Sequence, residues 1–180
     1  MATDNKNTTA TPGNPNTPGV AAFSEFHRAE LPRLIAFLTY LGYTLNDAED
    51  AAQESLWLLY QQWDSIESPS KWVRVVAARA AARTAYTRKR VELAGSPGDV
   101  EELANASGLT FSDSEFRQRH EIIELLGTLP QRQRVALAWW LDGFTTREIA
   151  EAMDMRESTV RSSIRHARNR LRNLLDKQIK

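Results

Sequence analysis

An all-α fold, in two small helical domains joined by a flexible linker, is what this sequence predicts, and three observations carry it. Apolar residues recur at helical spacing through most of the chain. The alternation of β-branched and aromatic residues with polar ones that half-buried strands need is absent. Two stretches poor in large apolar groups, one at the N-terminus and one past the middle, divide the chain.

The elements follow in order. Residues 1–20 are rich in Thr, Asn, Pro and Gly, cannot repay the entropy of ordering, and are expected to be a disordered tail. Phe23, Phe26, Leu31, Leu34, Ile35, Leu38 and Leu41 fall on one helical stripe, with Pro32 either kinking the helix or beginning a new turn. Asn46 followed by Glu49 makes a capping box for a helix through Trp63, with Ala48, Ala52, Leu56 and Leu59 inward. Pro69 precedes a third helix, Lys71 to Lys89, dense in alanine and arginine. Trp57 and Trp63 are expected in the core of this first domain, residues 21–90. Gly95, Ser96, Pro97, Gly98 and Gly108 interrupt any periodicity and mark a linker, residues 91–113. In the second domain, residues 114–180, Glu115 to Leu126 forms a helix, and Pro130 suits the first turn of the next, ending at Asp142-Gly143. Thr145 and Glu148 form a capping box for a short helix, Thr146 to Met153, and a tight turn at Asp154-Met155-Arg156 leads into a long basic one. The C-terminal domain therefore has the order of a helix-turn-helix.

Composition excludes several classes of function. A chain of 180 residues, 42% hydrophobic and 26% charged, is an ordinary soluble globular protein with room for one medium domain or two small ones. Without cysteine it has no disulfide, thiolate metal site or thiol switch. No apolar run is long enough to span a bilayer and no basic-then-apolar signal opens the chain, so no membrane insertion and a cytoplasmic location are expected. His27, His120 and His166 stand without metal-ligand spacing or a nearby nucleophile, and there is no glycine-rich phosphate loop. No metal, no cofactor and no catalytic activity are expected.

Charge is segregated although the formal net charge is +0. From Asp47 to Glu67 every charged residue is acidic, and from Lys71 to Arg90 every one is basic. The final stretch carries Arg161, Arg165, Arg168, Arg170 and Arg172 against Glu157 and Asp176. Two basic surfaces and one acidic surface suggest two nucleic-acid contacts and one protein contact; solvated helix faces are the plainer alternative. In the last helix Val160, Ile164, Ala167, Leu171 and Leu174 form an apolar face, and Arg161, Arg165, Arg168 and Arg172 repeat beside it. Arginine bonds phosphates and pairs with guanine through its planar fork, and a helix of this kind fits a major groove. An amphipathic hairpin with a solubilising face is the other reading of the same pattern.

Residues 129–134 (Leu-Pro-Gln-Arg-Gln-Arg), 143–151 (Gly-Phe-Thr-Thr-Arg-Glu-Ile-Ala-Glu), 158–162 (Ser-Thr-Val-Arg-Ser) and 167–172 (Ala-Arg-Asn-Arg-Leu-Arg) together resemble region 4 of the extracytoplasmic-function (ECF) RNA polymerase sigma factors. Residues 47–55, Asp-Ala-Glu-Asp-Ala-Ala-Gln-Glu-Ser, resemble the family's region 2.2, with Asp64 at its usual distance beyond, and residues 69–73, Pro-Ser-Lys-Trp-Val, resemble the start of its region 2.3 to 2.4 helix. The resemblance implies a sigma factor that binds core RNA polymerase, through the β′ coiled coil and the β flap, and directs it to promoter DNA. It implies polymerase binding by Asp50, Gln53 and Glu54, and minus-ten binding by Ser68, Ser70, Lys71, Trp72, Arg79 and Arg83. Minus-thirty-five binding falls to Arg147, Arg156, Ser158, Thr159, Arg161, Ser162, Arg165 and His166. An anti-sigma factor is a further partner it allows, and nucleoid association follows from promoter binding.

Several positions depart from the family pattern. Ala78, Arg79 and Arg83 stand where an Arg-Asn pair and a later Asp are usual, Arg156 where the recognition helix has a serine cap, and Ser163 where an arginine is common. The rival reading is a stand-alone helix-turn-helix regulator whose first half senses a ligand or dimerises.

Overall fold

The computed structural model describes residues 18–93 and 113–178. Among them all regular structure is helical: α1 (Pro18–Leu41), α2 (Leu45–Gln61), a 3-10 turn (Trp63–Ser65), α3 (Pro69–Leu93), α4 (Asp113–Gly127), α5 (Gln131–Leu141), α6 (Thr146–Ala152) and α7 (Glu157–Gln178). The expected tail lies outside the described residues up to 17, but Pro18, Gly19 and Val20 already belong to α1, with proline in the first-turn position it tolerates. Residues 91–93 extend α3 and Asp113 begins α4. The rest of the expected linker, 94–112, lies outside the described residues.

The first three helices pack on one another, and α5, α6 and α7 form a second group. Pro32 lies inside α1, which continues past it to Leu41. Ala48, Ala51, Ala52, Leu56 and Leu59 form the inner face of α2 against Leu34, Leu38 and Leu41 of α1 and Val73, Ala77 and Ala81 of α3. Small residues on α2 and α3 let these helices approach closely. In the second group Ile149, Val160, Ile164 and Ala167 are buried as their periodicity predicts, and Leu171 packs at the margin.

The two groups do not stand apart. Their buried residues form one contiguous core, because α5 packs along α1. Phe37 meets Trp139 edge-on with ring centroids 4.8 Å apart, and Trp139 meets Phe144 in the same way at 4.6 Å. A chain this short gains from sharing apolar area between halves, since each small core alone buries little.

Glycines end the two helices that meet. Gly42 (φ 111°) follows α1, where Tyr43 N–H donates to the Leu38 carbonyl at 3.3 Å; Gly143 (φ 90°) follows α5, where Phe144 N–H donates to the Trp139 carbonyl at 3.2 Å. Positive φ is open to glycine at no steric cost. A Cβ at Gly42 would also stand 3.3 Å from the Arg134 guanidinium carbon.

Two expected caps come out differently. Thr145 and Glu148 make the full reciprocal box at the start of α6. At α2 the cap is Thr44, whose hydroxyl accepts from Asp47 N–H at 3.2 Å, and Asn46 lies inside the helix. Threonine wins because its hydroxyl also donates to the Asp47 carboxylate at 2.7 Å, and Arg88 from the far end of α3 pairs with that carboxylate. The helix also ends at Gln61, with Trp63 in the 3-10 turn. Thr44→Ala should therefore cost about 1 kcal/mol in urea unfolding, the usual worth of an N-cap, and Asn46→Ala less than about 0.5 kcal/mol.

Candidate functional site

Asp50, Gln53 and Glu54 are exposed on the outer face of α2, in one stripe at three- and four-residue spacing. Trp57 continues it one turn on and is 60% exposed. Expected in the core, it lies outside because α2 buries its Leu56 and Leu59 stripe, which leaves Trp57 on the exposed flank beside Tyr60, with centroids 6.0 Å apart. Trp63 does pack inward, against Phe23 and Phe26. A groove of about 330 Å³ lies along Val20, Phe23, His27, Gln53, Trp57 and Tyr60, between α1 and α2.

The head of α3 holds the second set. Ser68 precedes the helix and its carbonyl accepts from Trp72 N–H at 3.0 Å. Trp72 is half-buried against the core, so only part of its ring faces outward. Ser70 is exposed, and its hydroxyl donates to Glu30 at 3.4 Å. Arg79 and Arg83 point to solvent further along, and Arg83 lies 3.8 Å from Glu54. The acidic stripe and the basic helix are thus neighbours, through an exposed pair that contributes little to stability. Ala78 packs against the core, so its difference from the family pattern changes packing and not surface charge.

Two cations here are engaged by the other half of the molecule. Lys71 Nζ stands 2.5 Å from Glu148 Oε1 and 5.8 Å from the Phe144 ring centroid. Arg74 is buried, pairs with Glu30 of α1 and with Asp142 after α5, and donates to the Ser70 carbonyl at 3.0 Å. Burial raises the Asp142 carboxyl above its ordinary value, against the opposing pull of its hydrogen bond to Arg74. Glu148 is held down to about 2 by its hydrogen bond from Lys71 and those from Thr145.

Arg134 completes this junction. Its Nε donates to the Tyr40 carbonyl at 2.8 Å and its Nη2 to the Thr39 carbonyl at 2.9 Å, while Gln131 reaches the Leu41 carbonyl at 3.4 Å. These carbonyls close the C-terminus of α1, which lacks intrahelical donors and carries the negative end of the helix dipole. Desolvation lowers the Arg134 pKa from its ordinary value. The Leu-Pro-Gln-Arg-Gln-Arg sequence is thus the clamp between halves. Nothing in a linear pattern pairs Arg74 with Glu30 and Asp142, or Arg134 with the carbonyls of Thr39 and Tyr40, partners 44 to 95 residues apart.

The third set lies on the helix-turn-helix. Asp154 takes φ 50° in the turn, and Met155 N–H donates to the Ala150 carbonyl at 2.9 Å. The Arg156 carbonyl accepts from Thr159 and Val160, so this residue opens α7 with its backbone while its side chain stays exposed. Ser158, Arg161, Arg165 and His166 are exposed on α7; Thr159 and Ser162 are partly covered, Ser162 donating to the Thr159 carbonyl at 2.9 Å. Arg147 is exposed on α6 and paired with Glu151 at 3.2 Å. Ser163 is buried, so its difference from the family pattern lies off the outer face. Arg168, absent from the expected set, covers Trp140 with its guanidinium 5.2 Å from the ring centroid.

A family model described as Sigma-70, region 4, matches residues 119–171, the end of α4 through most of α7. The chain is 30% identical over 162 residues to an RNA polymerase sigma-E factor of Streptomyces avermitilis, covering 87% of each. It is 28% identical over 166 residues to the ECF RNA polymerase sigma factor SigK of Mycobacterium ulcerans, covering 86% of each. The chain belongs to the ECF sigma factors. Likeness over both halves favours this function over a stand-alone regulator. The fold of this sigma factor also matches RpoE of Bartonella quintana, solved in complex with the anti-sigma factor NepR, with TM-score 0.64 and 24% identity over 87% of this chain and 98% of that one. It matches CnrH in complex with the cytosolic domain of CnrY as well, with TM-score 0.55 and 17% identity over 87% and 89%. A sigma factor binds core RNA polymerase and directs it to promoters for initiation. Among the described residues no helix is long and apolar enough to cross a membrane and no cluster of metal ligands occurs.

Proposed function

We propose that this sigma factor divides its work among the three surfaces described, as two domains with the limits read from the sequence. The acidic stripe Asp50, Gln53 and Glu54 docks on the β′ coiled coil. Its support is exposure without a structural duty: none of the three carries the core, and two carboxylates beside an amide suit a basic helical partner. Exposed Trp57 adds an aromatic anchor beside the charges, the kind of residue that dominates binding energy once water is excluded. The second half meets the β flap.

Ser68, Ser70, Lys71, Trp72, Arg79 and Arg83 receive the opened minus-ten strand. Cations along one helix track phosphates, and half-exposed Trp72 with Ser68 and Ser70 at the start of α3 takes an extruded base. Arg147, Arg156, Ser158, Thr159, Arg161, Ser162, Arg165 and His166 meet the minus-thirty-five duplex, with the exposed N-terminal half of α7 in the major groove. The chain contributes binding and no bond-breaking chemistry, since polymerisation belongs to the polymerase. It acts in the cytoplasm at the nucleoid, and an anti-sigma factor is a further partner, as NepR is for RpoE.

The observation that carries this reading is the likeness over both halves joined to an unburied acidic stripe on α2. Asp50→Lys with Glu54→Lys should weaken binding to core polymerase roughly tenfold or more while circular dichroism stays unchanged. Unchanged core affinity would remove the assignment. In the holoenzyme, Arg161→Ala or Arg165→Ala should cost about 1–3 kcal/mol of promoter affinity at a base contact, selectively for one sequence. A phosphate contact would instead weaken all sequences alike and lower the salt slope. If neither substitution alters promoter retention on filters, the DNA-facing side of α7 is wrongly assigned.

A further inference from the structure

We propose that the last turns of α3 extend the single-strand surface, Tyr86 stacking a further unpaired base and Arg90 holding the phosphate beside it. The inference rests on the strand-capture reading above and adds to it two residues outside that set.

Trp72, Arg79, Arg83, Tyr86 and Arg90 follow one another along α3 in steps of seven, four, three and four residues. Such steps keep side chains on one side of a 3.6-residue helix, so the five form a single stripe. From Trp72 to Arg90 it rises about 27 Å at 1.5 Å per residue. That is the length of roughly eight bases at the 3.4 Å spacing of a stacked strand. A ring stands at the head of the stripe and a second ring about four turns on, with arginines between and beyond them. This combination holds a single strand, because cations follow the phosphates while each ring offers surface to a base.

Two features separate this distal end from an ordinary solvated face. After Ala81 no residue of α3 as far as Arg90 is buried, and all but Ala85 are exposed. A helix draws most of its stability from a packed face, so exposed turns need another tie. Arg88 supplies one from the far side of the helix, where it pairs with buried Asp47 at the start of α2. The stripe is thereby left facing outward on an ordered helix. The second feature is the ring itself. Tyr86 is 66% exposed, and the Arg90 guanidinium carbon stands 6.0 Å from its centroid, at the edge of cation–π range. Ring and charge are thus presented together. The helix dipole favours a cation in the last turn, where Arg90 lies, but gives no reason for an exposed ring beside it. Like charges four residues apart destabilise a helix, and Arg79 and Arg83 are such a pair, offset in part by Glu54 at 3.8 Å from Arg83. A polyanion with unpaired bases accounts for both the ring and the run of cations.

The test uses the full chain and a fluorescein-labelled oligothymidine of about 12 nucleotides, with binding read by anisotropy over a series of salt concentrations. Tyr86→Ala should weaken binding roughly tenfold with the salt slope unchanged, because stacking releases no counterions. Tyr86→Phe, which keeps the ring, should restore most of that loss. Arg90→Ala should weaken binding and lower the salt slope by about 0.7, the worth of one phosphate contact on a single strand. Lys89→Ala removes the same charge one residue off the stripe and should stay within about twofold of wild type. All these sites are exposed, so circular dichroism should not change. Arg79→Ala tests the underlying reading. If it weakens binding and Tyr86→Ala does not, strand capture stands and its extension along α3 is overturned. If neither weakens binding, the strand-capture reading itself has failed. Equal losses in Arg90→Ala and Lys89→Ala overturn the stripe, as a general charge effect. A loss in Tyr86→Phe as large as that in Tyr86→Ala overturns the stacking.

Discussion

The Arg74 guanidinium is a buried cation whose planar fork presents N–H donors in several directions, so burying it requires acceptors around it. It finds them in Glu30 from α1, the Ser70 carbonyl from its own helix and Asp142 from the turn after α5. Three elements distant in sequence are thereby bound to one arrangement, since removing any acceptor leaves a buried charge short of partners. Arg134 repeats the logic at the end of α1, where it supplies donors to carbonyls that have none. The apolar contact of Phe37 with Trp139 joins α1 to α5 as well. The shared core follows from these contacts.

This docking sorts the surfaces. The acidic stripe on α2 and the arginines of α7 face outward in the docked body and are open to partners. At the head of α3 Arg74 is buried and Lys71 is exposed, and both are engaged by carboxylates of the other half. One set of contacts thus fixes which surfaces the docked chain presents.

Much of the fold was legible because helical periodicity records which side of each helix is buried. Val160, Ile164 and Ala167 on α7, and Ala48, Ala52, Leu56 and Leu59 on α2, are buried as their spacing implies. The capping box at Thr145 was equally plain, since its two residues must lie three apart. Local signals competed at α2, where Asn46 and Thr44 were both able to cap and a hydrogen bond to buried Asp47 decided for Thr44. Trp57 was misjudged because its size suggested the core, although the Leu56 and Leu59 stripe already filled the inner face. The docking of the halves was not legible at all. It depends on Glu30, Arg74, Arg134 and Asp142, ordinary surface types whose partners are distant in sequence.

The meeting of Phe37 with Trp139 offers the most direct measurement, since these rings lie in different halves and touch only when the halves are docked. In isotope-labelled free protein, aromatic ring protons at a 4.8 Å centroid separation should give a nuclear Overhauser effect between Phe37 and Trp139. That cross-peak is the predicted result. The Trp139–Phe144 pair lies within the second half and serves as the internal control, because its cross-peak needs no docking. A Trp139–Phe144 cross-peak without one from Phe37 would mean that the halves fold but do not dock, and would contradict the account.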